Sequence, residues 1–289
     1  MTNKNTIIIE GFGQLANRII QYSHFIASGK EYGLNIYNPD FKKYACYFKG
    51  SHKQDIPCFL SNDKDSKFPA FLFFIFKIQS KFIKKNFKFN IGNLLFFTYT
   101  DENDFFISEF ANLRKKYIFI KGWNFRDYEN VKKHYTTIVS YFEPVDQYKR
   151  EIENFINPLK EKYDILVGVH IRRGDYKEWQ NGKYYFSDEV YFNYLSQLKN
   201  IFANKNTLFI IFSDEKINID YYKDKGLNVI LSEGDMILDI YRMASCDYII
   251  GPVSTFNLWA SYYGKKPHRY IKNSNEIIKL DDFKIIETL

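Results

Sequence analysis

The chain has 289 residues, of which 45% are hydrophobic, and 41 Lys and Arg exceed 34 Asp and Glu to give a formal charge of +7. This length and apolar content predict two cores of ordinary domain size, and the low content of Gly and Pro excludes a disordered or fibrous chain. The positive charge favours anionic partners, such as nucleotide diphosphates, acidic lipids or nucleic acid, without choosing among them.

The first predicted elements are a strand, a tight loop and a helix. A short β-branched run at 6–9 leads into GFGQLANR, and apolar residues at helical spacing follow from Ile19 to Ile26. The N-terminal apolar run is too short, and is broken too soon by Glu10, to be the hydrophobic region of a signal peptide.

The cysteines indicate a reducing compartment. Cys46, Cys58 and Cys246 are odd in number and widely spaced, unlike the cysteines of a disulfide framework. We therefore expect a cytoplasmic location.

Residues 40–140 mix aromatic side chains with lysines and show no clean period, so we expect short helices there with poorly defined ends. The acidic sequence DKD at 63–65 has the form of the DxD motif of metal-dependent transferases, but no strand precedes it and we interpret it as a loop. No metal site is predicted.

Four apolar runs in the second half predict buried parallel strands, each ending on small or polar residues. The runs are ILVGVHI (165–171), LFIIF (208–212), NVIL (228–231) and YII (248–250). Helical patterns separate them, which indicates an open α/β sheet with a ligand at the carboxyl ends of its strands. Because this pattern begins near residue 150, we predict domains at 1–150 and 151–289.

The sequence HIRRGDY follows the first of these strands directly. Arg172 and Arg173 are costly to desolvate at a strand end unless they meet an anion, and a guanidinium suits a diphosphate. The alternative is a solvated charged turn with an internal ion pair between arginine and Asp175.

Two further segments could contact a nucleotide. GPVSTF precedes a predicted helix, with Ser254 or Thr255 near its N-cap, where free backbone N–H groups can bind phosphate. An ordinary capped helix is the alternative. Asp239 lies among apolar residues and could either pair with Arg242 or accept from N1–H and the amino group of guanine.

Together these segments resemble a known family. HIRRGDY is similar to the HxRRxDY motif of the α-1,2-fucosyltransferases of bacterial type, glycosyltransferase family 11. GQLANRIIQYSHFIA resembles the family's GxLGNQxFQYA segment, with Ala16 and Arg18 in place of Gly and Gln. DIYRMASCDYIIGPVSTFNLWASYYG resembles its DLxLMSxCxxxIxxxSSFSxWxA segment, with GPVSTF in place of NSSFS.

The resemblance implies an α/β, GT-B-like fold in which two Rossmann-like domains face a cleft. Residues 1–150 would form the acceptor side and 151–289 would bind GDP-fucose. Arg172 would bind the diphosphate with support from Arg173, and His170 and Asp239 would recognise the guanine. The phosphate and nucleoside would also be lined by Ser254, Thr255 and Phe256, and Asn17 would contact the acceptor or the donor.

The implied reaction is inverting transfer of L-fucose from GDP-fucose to a glycan hydroxyl, O2 of a terminal galactose. Departure of GDP builds negative charge on the β-phosphate, which arginines and helix N–H groups can stabilise without a metal or other cofactor. Asp175 is the candidate catalytic base, although it could instead orient Arg172 or Arg173. The acceptor would be a precursor of a surface polysaccharide or lipopolysaccharide, and it could be linked to a lipid.

Two other functions are compatible with parts of the sequence. The same nucleotide site could serve a GDP-dependent transferase of another sugar or linkage. A nucleic-acid-binding protein would explain the positive charge, but the aromatic residues lie in apolar runs, as core residues do, and acids are interspersed with the basic residues. We therefore expect no nucleic-acid partner.

The aromatic and basic stretch from Phe68 to Phe89 allows two interpretations. It could rest on the inner face of a membrane, with apolar side chains inserted and lysines against anionic headgroups, near lipid-linked acceptors. It could instead pack in the core and leave a lysine face in solvent, which the pattern slightly favours. At about half the length of a spanning helix, its apolar run 68–78 is not expected to cross a membrane.

Overall fold

The computed structural model describes residues 6–52, 58–59, 67–80, 87–98, 117–121, 123 and 125–289. The chain divides into two compact units. Unit 1 extends to Val145 and includes Thr288 and Leu289, and unit 2 comprises Asp146–Glu287. The acceptor and donor roles expected for 1–150 and 151–289 stay predictions.

Unit 1 is built on a six-stranded sheet of order β3-β2-β1-β6-β5-β4, in which β4 and β5 pair antiparallel and the other neighbours pair parallel. Its strands are β1 Thr6–Ile9, β2 Asn35–Tyr37, β3 Cys58–Phe59, β4 Phe87–Ile91, β5 Leu94–Thr98 and β6 Tyr117–Lys121. Its helices are α1 Leu15–Tyr32, α2 Lys42–Ala45, α3 Lys67–Ser80, α4 Tyr128–Lys133 and α5 Tyr135–Tyr141, with 3-10 turns at Pro39–Phe41 and Lys49–His52.

The first strand, loop and helix form where the sequence predicts them. All four residues of β1 are buried. Helix α1 is capped at its C-terminus by Gly33, whose φ of 65° suits glycine and whose N–H donates to the carbonyl of Gly29. Ile8 of β1 lies in an apolar cluster with Tyr37, Phe73, Phe76 and Phe119, which packs α3 on the sheet.

The prediction of short helices for residues 40–140 was incomplete. Helices α2, α4 and α5 are short, but α3 has 14 residues, and β3, β4, β5 and β6 also lie in this stretch. The sequence does not show these strands because both faces of β6 are buried and β5 is rich in aromatic residues, so neither alternates apolar and polar residues. The DKD sequence at 63–65 lies outside the described residues.

The last two residues of the chain belong to unit 1, where a buried histidine binds Leu289. The ring of His24 accepts from Asp127 N through Nδ1 and donates to the carbonyl of Leu289 through Nε2, both at 2.9 Å. Burial lowers the pKa of His24 to about 3, so the ring is neutral. This pair of bonds explains why Leu289 groups with unit 1.

Unit 2 is built on a five-stranded, wholly parallel sheet of order β11-β10-β7-β8-β9. The strands are β7 Ile165–Ile171, β8 Thr207–Ser213, β9 Val229–Leu231, β10 Tyr248–Pro252 and β11 His268–Ile271. The helices are α6 Asp146–Lys162, α7 Asp188–Ile201, α8 Asp220–Lys223, α9 Met236–Ala244 and α10 Thr255–Gly264, with 3-10 turns at Asp175–Lys177, Trp179–Gly182 and Leu280–Asp282. The four strands predicted in this half are confirmed.

The sheet of unit 2 brings the carboxyl ends of its strands to one edge. Four of its strands end in polar residues there. These are His170 near the end of β7 with the two arginines after it, Ser213 and Asp214 at the end of β8, Ser232 after β9 and Ser254 after β10. The helices that follow are fixed at their starts by side-chain caps. Asp235 accepts from the N–H groups of Ile237 and Leu238 at the start of α9, and Ser254 caps α10.

Candidate functional site

Arg172 is held at the end of β7 by a neighbouring carboxylate. Its Nε and Nη2 donate to the two carboxylate oxygens of Asp175, each at 2.9 Å, and its guanidinium lies 5.1 Å from the ring centre of Tyr176. The hydrogen bonds from Arg172 lower the pKa of Asp175. Asp175 is therefore a carboxylate that fixes the guanidinium and is a weak proton acceptor while this pair persists.

Tyr176 links this arginine to the loop after β10. Its hydroxyl donates to the carbonyl of Val253 at 2.6 Å, and its ring lies 4.8 Å from the ring of Trp179. The side chains of Arg172, Tyr176 and Trp179 thus form a continuous series at the strand ends. Tyr176 is the last residue of HIRRGDY, but the motif alone gave it no role.

Arg173 is buried and fully engaged inside unit 2. Its Nε donates to the carbonyl of Phe186 at 2.8 Å, and its Nη2 and Nη1 donate to Asp188 at 2.6 Å and to Glu215 at 3.2 Å. Tyr222 also donates to Asp188, at 2.7 Å. Two carboxylates therefore offset the charge of Arg173, and the Arg173 side chain stabilises the loop that carries Arg172.

The loop between Arg172 and Asp175 is also shaped by Asp214, which follows β8. Asp214 accepts from the backbone N–H of Arg173 at 3.2 Å, and its Oδ2 lies 2.9 Å from where a Cβ at Gly174 would be. Sequence reasoning missed Asp214, Asp188 and Glu215. The signal available for Asp214 was its place directly after a buried strand.

His170 is a neutral, buried imidazole on β7. Burial and the nearby charge of Arg172 lower its pKa to about 3, and its ring lies 4.9 Å from that of Phe256 at an interplanar angle of 30°. Strand β10 approaches it closely at Gly251, where a Cβ would lie 2.8 Å from the His170 Cβ and 2.9 Å from its carbonyl oxygen. The structure thus brings together His170 and Phe256, two of the predicted nucleotide contacts.

Asp239 is a buried acid on α9, bridged to Arg242 by a serine. Ser232 donates to Asp239 Oδ1 at 2.7 Å and accepts from Arg242 Nη1 at 3.1 Å, while the Arg242 guanidinium lies 4.2 Å from the ring centre of Phe155. Burial raises the pKa of Asp239 to about 6. Ser232, which no sequence motif singled out, is therefore the link between the acid and its expected partner.

The N-terminus of α10 faces the same strand edge. Ser254 is buried and accepts from Phe256 N at 3.2 Å, and Asn257 Nδ2 donates to the carbonyl of Pro252 at 2.7 Å. Thr255 is the first residue of the helix. Since a helix N-terminus carries partial positive charge, this edge suits an anion next to Arg172.

Asn17 lies in unit 1, near the start of α1. Its side chain packs against Gly13, whose φ is 64°. Arg18 Nε donates to the carbonyl of Gly13 at 2.8 Å, and Arg18 Nη1 donates to the carbonyl of Asp40 at 2.9 Å. A cavity of about 500 Å³ opens beside this loop and is lined by Arg18, Pro39, Asp40, Lys42 and Lys43.

No group of three or more His, Cys, Asp or Glu side chains within the described ranges is arranged to hold a metal ion. In the same ranges, Cys46 and Cys246 are free thiols, the first exposed and the second buried. No helix in this part of the chain has the length and apolar character to span a membrane.

Sequence comparison identifies relatives over more than half of the chain. The profile of glycosyl transferase family 11 matches residues 58–279. Galactoside alpha-(1,2)-fucosyltransferase 1 of Homo sapiens is 23% identical over 197 residues, covering 59% of this chain and 50% of that protein, and the Pan troglodytes protein matches equally. The chain thus spans about half the length of these curated relatives.

Solved structures with a similar fold include fucosyltransferases. A mutant of Arabidopsis thaliana FUT1 in complex with GDP has a TM-score of 0.63 at 10% identity and covers 97% of this chain and 74% of that one. Fucosyltransferase NodZ from Bradyrhizobium has a TM-score of 0.53 at 12% identity, covering 89% and 92%, and POFUT1 in complex with GDP-fucose has 0.52 at 11%, covering 93% and 96%.

These likenesses confirm the prediction of an α/β, GT-B-like fold with two Rossmann-like domains. They also agree with the sequence motifs that suggested the family. Since the family profile extends over most of the sequence, this chain belongs to glycosyl transferase family 11.

Proposed function

We propose that this protein transfers L-fucose from GDP-fucose to a glycan hydroxyl, with inversion and without a metal, and that the hydroxyl is O2 of a terminal galactose. The observation that carries the proposal is Arg172, fixed by two hydrogen bonds at the carboxyl end of the central strand of unit 2. The names of similar proteins support it, since they include galactoside alpha-(1,2)-fucosyl transfer and complexes with GDP and GDP-fucose.

The proposed guanine contacts are His170 and Asp239. An ionised Asp239 can accept from both N1–H and the amino group of guanine, and its pKa of about 6 leaves it mostly ionised at neutral pH. His170 and Phe256 would supply a neutral, partly aromatic contact for the nucleoside. The base would thus meet one charged side chain and one neutral one.

Charge stabilisation is the main chemical contribution that we assign to the strand edge. As the bond to fucose breaks, negative charge grows on the β-phosphate, where Arg172 and the α10 N-terminus, with Ser254 and Thr255, would stabilise it. Arg173 would support this site indirectly, because its hydrogen bonds all go to Phe186, Asp188 and Glu215.

For Asp175 we propose the positioning role rather than that of the base. Both of its oxygens accept from Arg172, and this contact lowers its pKa, which weakens it as a proton acceptor near neutral pH. Holding a flexible guanidinium in one orientation before the donor binds would lower the cost of forming the phosphate contact.

We assign the acceptor to unit 1, where Asn17 lies near the start of α1. The acceptor class is a galactose-terminated precursor of a surface polysaccharide or lipopolysaccharide, carried on a lipid. A cytoplasmic location stays a prediction.

Titration calorimetry with GDP, UDP and ADP in EDTA tests the nucleotide site. We expect GDP to bind most tightly, Arg172→Ala to lower its affinity about 30- to 100-fold, and Asp175→Asn to lower it less. Arg172→Lys should recover only part of the loss, because lysine lacks the planar fork. Arg150→Ala, an exposed arginine of α6, is the matched control and should bind as wild type.

No preference for GDP, or equal binding by wild type and Arg172→Ala, would contradict the donor site. The sugar and linkage are then tested separately, with GDP-fucose against GDP-mannose and with methyl β-galactoside against its 2-deoxy form. Transfer from GDP-mannose, or to the 2-deoxy acceptor, would favour the alternative transferase of another sugar or linkage.

A nucleic-acid-binding function is the distant alternative. Tight binding in a salt-sensitive gel shift without any binding of GDP would favour it. The buried position of many aromatic side chains of unit 2, such as Tyr191, Tyr194 and Tyr222, weighs against a base-stacking surface made of these residues.

A further inference from the structure

An exposed tryptophan lies close to Arg172 in unit 2. Trp179, in the loop that follows HIRRGDY, is 39% exposed. Its ring centre lies 4.8 Å from that of Tyr176 and 5.6 Å from that of Tyr184, at interplanar angles of 33° and 34°. Two neighbouring rings therefore hold the indole in place, while part of its surface stays open to a ligand.

The backbone directly after Trp179 has an unusual conformation. Gln180 and Asn181 have φ of 50° and 57°, and Gly182 continues the left-handed run at 74°. Among the described residues other than glycine, only Lys265 shares this conformation. Two such residues in succession indicate local strain, which is concentrated in proteins at active sites and at segments that contact ligands.

The loop that carries Trp179 has no net charge. Residues 174–186 contain two acids and two lysines, and one of the acids, Asp175, is already bound by Arg172. The exposed amides of Gln180 and Asn181 offer neutral donors and acceptors of hydrogen bonds. An aromatic ring beside neutral amides suits an uncharged ligand that has both C–H groups and hydroxyl groups, as a sugar has.

The covalent structure of the donor indicates which of its parts can reach the ring. In GDP-fucose the pyranose is joined directly to the β-phosphate, for which we propose Arg172 as the partner. The Arg172 guanidinium lies 5.1 Å from the ring centre of Tyr176, and Trp179 is the next ring. The proposed nucleoside contact His170 lies on β7 instead, before Arg172. The sugar is therefore the part of the donor that Trp179 is placed to meet.

We propose that the exposed surface of Trp179 binds the pyranose ring of the donor sugar. This inference rests on the proposed function, because it takes as its ligand a sugar on the diphosphate held by Arg172. L-Fucose is a 6-deoxy sugar, and its methyl group and ring C–H groups form an apolar side that can pack on an indole. Such packing would hold the anomeric carbon in one orientation while its bond to the β-phosphate breaks.

Calorimetry with GDP and with GDP-fucose tests the proposal, because the second ligand adds the sugar to the first. We expect Trp179→Ala to lower the affinity for GDP-fucose about tenfold and to leave the affinity for GDP within about twofold of wild type. Trp179→Phe keeps an aromatic ring and should recover most of the loss. Tyr32→Ala, at a ring of unit 1 that is 38% exposed, is the matched control and should bind both ligands as wild type.

Unchanged binding of GDP-fucose by Trp179→Ala would overturn the proposal. So would an equal loss of affinity for GDP and GDP-fucose, which would show that the ring acts on the nucleotide or on the fold. A higher KM for methyl β-galactoside with unchanged donor affinity would assign the ring to the acceptor and would also overturn it. Failure of the proposed function looks different, because wild type would then show no preference for GDP over UDP and ADP.

Discussion

The ionised form of Asp239 is favoured by the proposed guanine contact and disfavoured by burial. Its carboxyl group is buried beside Ser232 and Arg242, and burial raises its pKa to about 6. The ionised form is the one that can accept two hydrogen bonds from guanine, yet it is the form that folding disfavours. The donor site would therefore be built at a cost in stability near neutral pH.

We predict that GDP affinity and stability change in opposite directions with pH. Affinity should be constant from pH 8 to 7 and fall as pH drops through 6, by up to about tenfold per pH unit, because protonated Asp239 loses an acceptor. A carboxyl whose folded pKa is raised binds more protons when folded, so its contribution to the free energy of unfolding should increase from pH 7 to 5.

Asp239→Asn is the test of this assignment. The variant should bind GDP more weakly, lose the affinity change near pH 6, and be more stable than wild type at pH 8 by up to roughly 3 kcal/mol. Calorimetry and chemical unfolding at pH 5, 6, 7 and 8 measure both quantities. An unaltered pH dependence of GDP affinity in the variant would show that another group titrates.

The adjacent arginines show how neighbouring identical residues acquire different roles. Arg172 is held by a single carboxylate that is mostly exposed, whereas Arg173 is buried between two acids and a carbonyl. Because successive residues leave a strand in different directions, one guanidinium reaches the sheet edge and the other reaches the core. The resemblance to the family assigned the diphosphate contact to Arg172 and a supporting role to Arg173.

At the scale of elements, the sequence predicts the strands of unit 2 and the positions of their ends better than any other feature. The runs at 165–171 and 208–212 are uniform enough to place β7 and β8 within one residue, and their polar ends locate the edge of the sheet. The partners within that edge were not predictable. Asp214 is distant in sequence from the backbone N–H of Arg173 from which it accepts, and Ser232, although close to Asp239 in sequence, belongs to no motif. In unit 1, β5 and β6 were missed because their apolar character lacks a period.

The close approach of β10 to β7 gives a prediction at this scale. Gly251→Ala places a Cβ 2.8–2.9 Å from His170 and the Asn257 amide, so it should destabilise the protein by about 1–3 kcal/mol and weaken GDP binding by displacing His170. Thermal unfolding and calorimetry measure the two effects.

Gly33→Ala is the matched control for this substitution. At Gly33 nothing lies within 4 Å of where a Cβ would be, but the backbone φ is +65°. The substitution should cost about 1 kcal/mol through backbone strain and leave GDP affinity unchanged. Unaltered GDP binding by folded Gly251→Ala would contradict a role of the β7 and β10 contact in the donor site.

At the scale of the whole molecule, each unit has its own sheet, and the described residues of each unit include an apolar cluster. Val167, Val169 and Phe209 belong to the cluster of unit 2, and Ile8 and Phe119 belong to that of unit 1. A change confined to one core can therefore act on one unit. This arrangement suits an enzyme whose donor and acceptor groups lie on different units, as we propose.

Arg173→Ala should destabilise unit 2 selectively. It leaves Asp188 and Glu215 without their shared cation, and we expect a loss of about 2–4 kcal/mol in the stability of that unit. Hydrogen exchange should accelerate in β7 and β8 and remain as in wild type in β1 and β2. Arg150→Ala should change neither, and equal acceleration in both units would show that they unfold as one.

The indole of Trp179 provides an optical readout of the site. The Trp179 ring lies 4.8 Å from that of Tyr176, which carries the guanidinium of Arg172 at 5.1 Å, while Trp259 is fully buried in unit 2 and Trp123 lies against Phe12 in unit 1. An anion that draws Arg172 away from Tyr176 changes the polarity around one of the three indoles. Intrinsic fluorescence would therefore follow the proposed nucleotide binding in real time without any label.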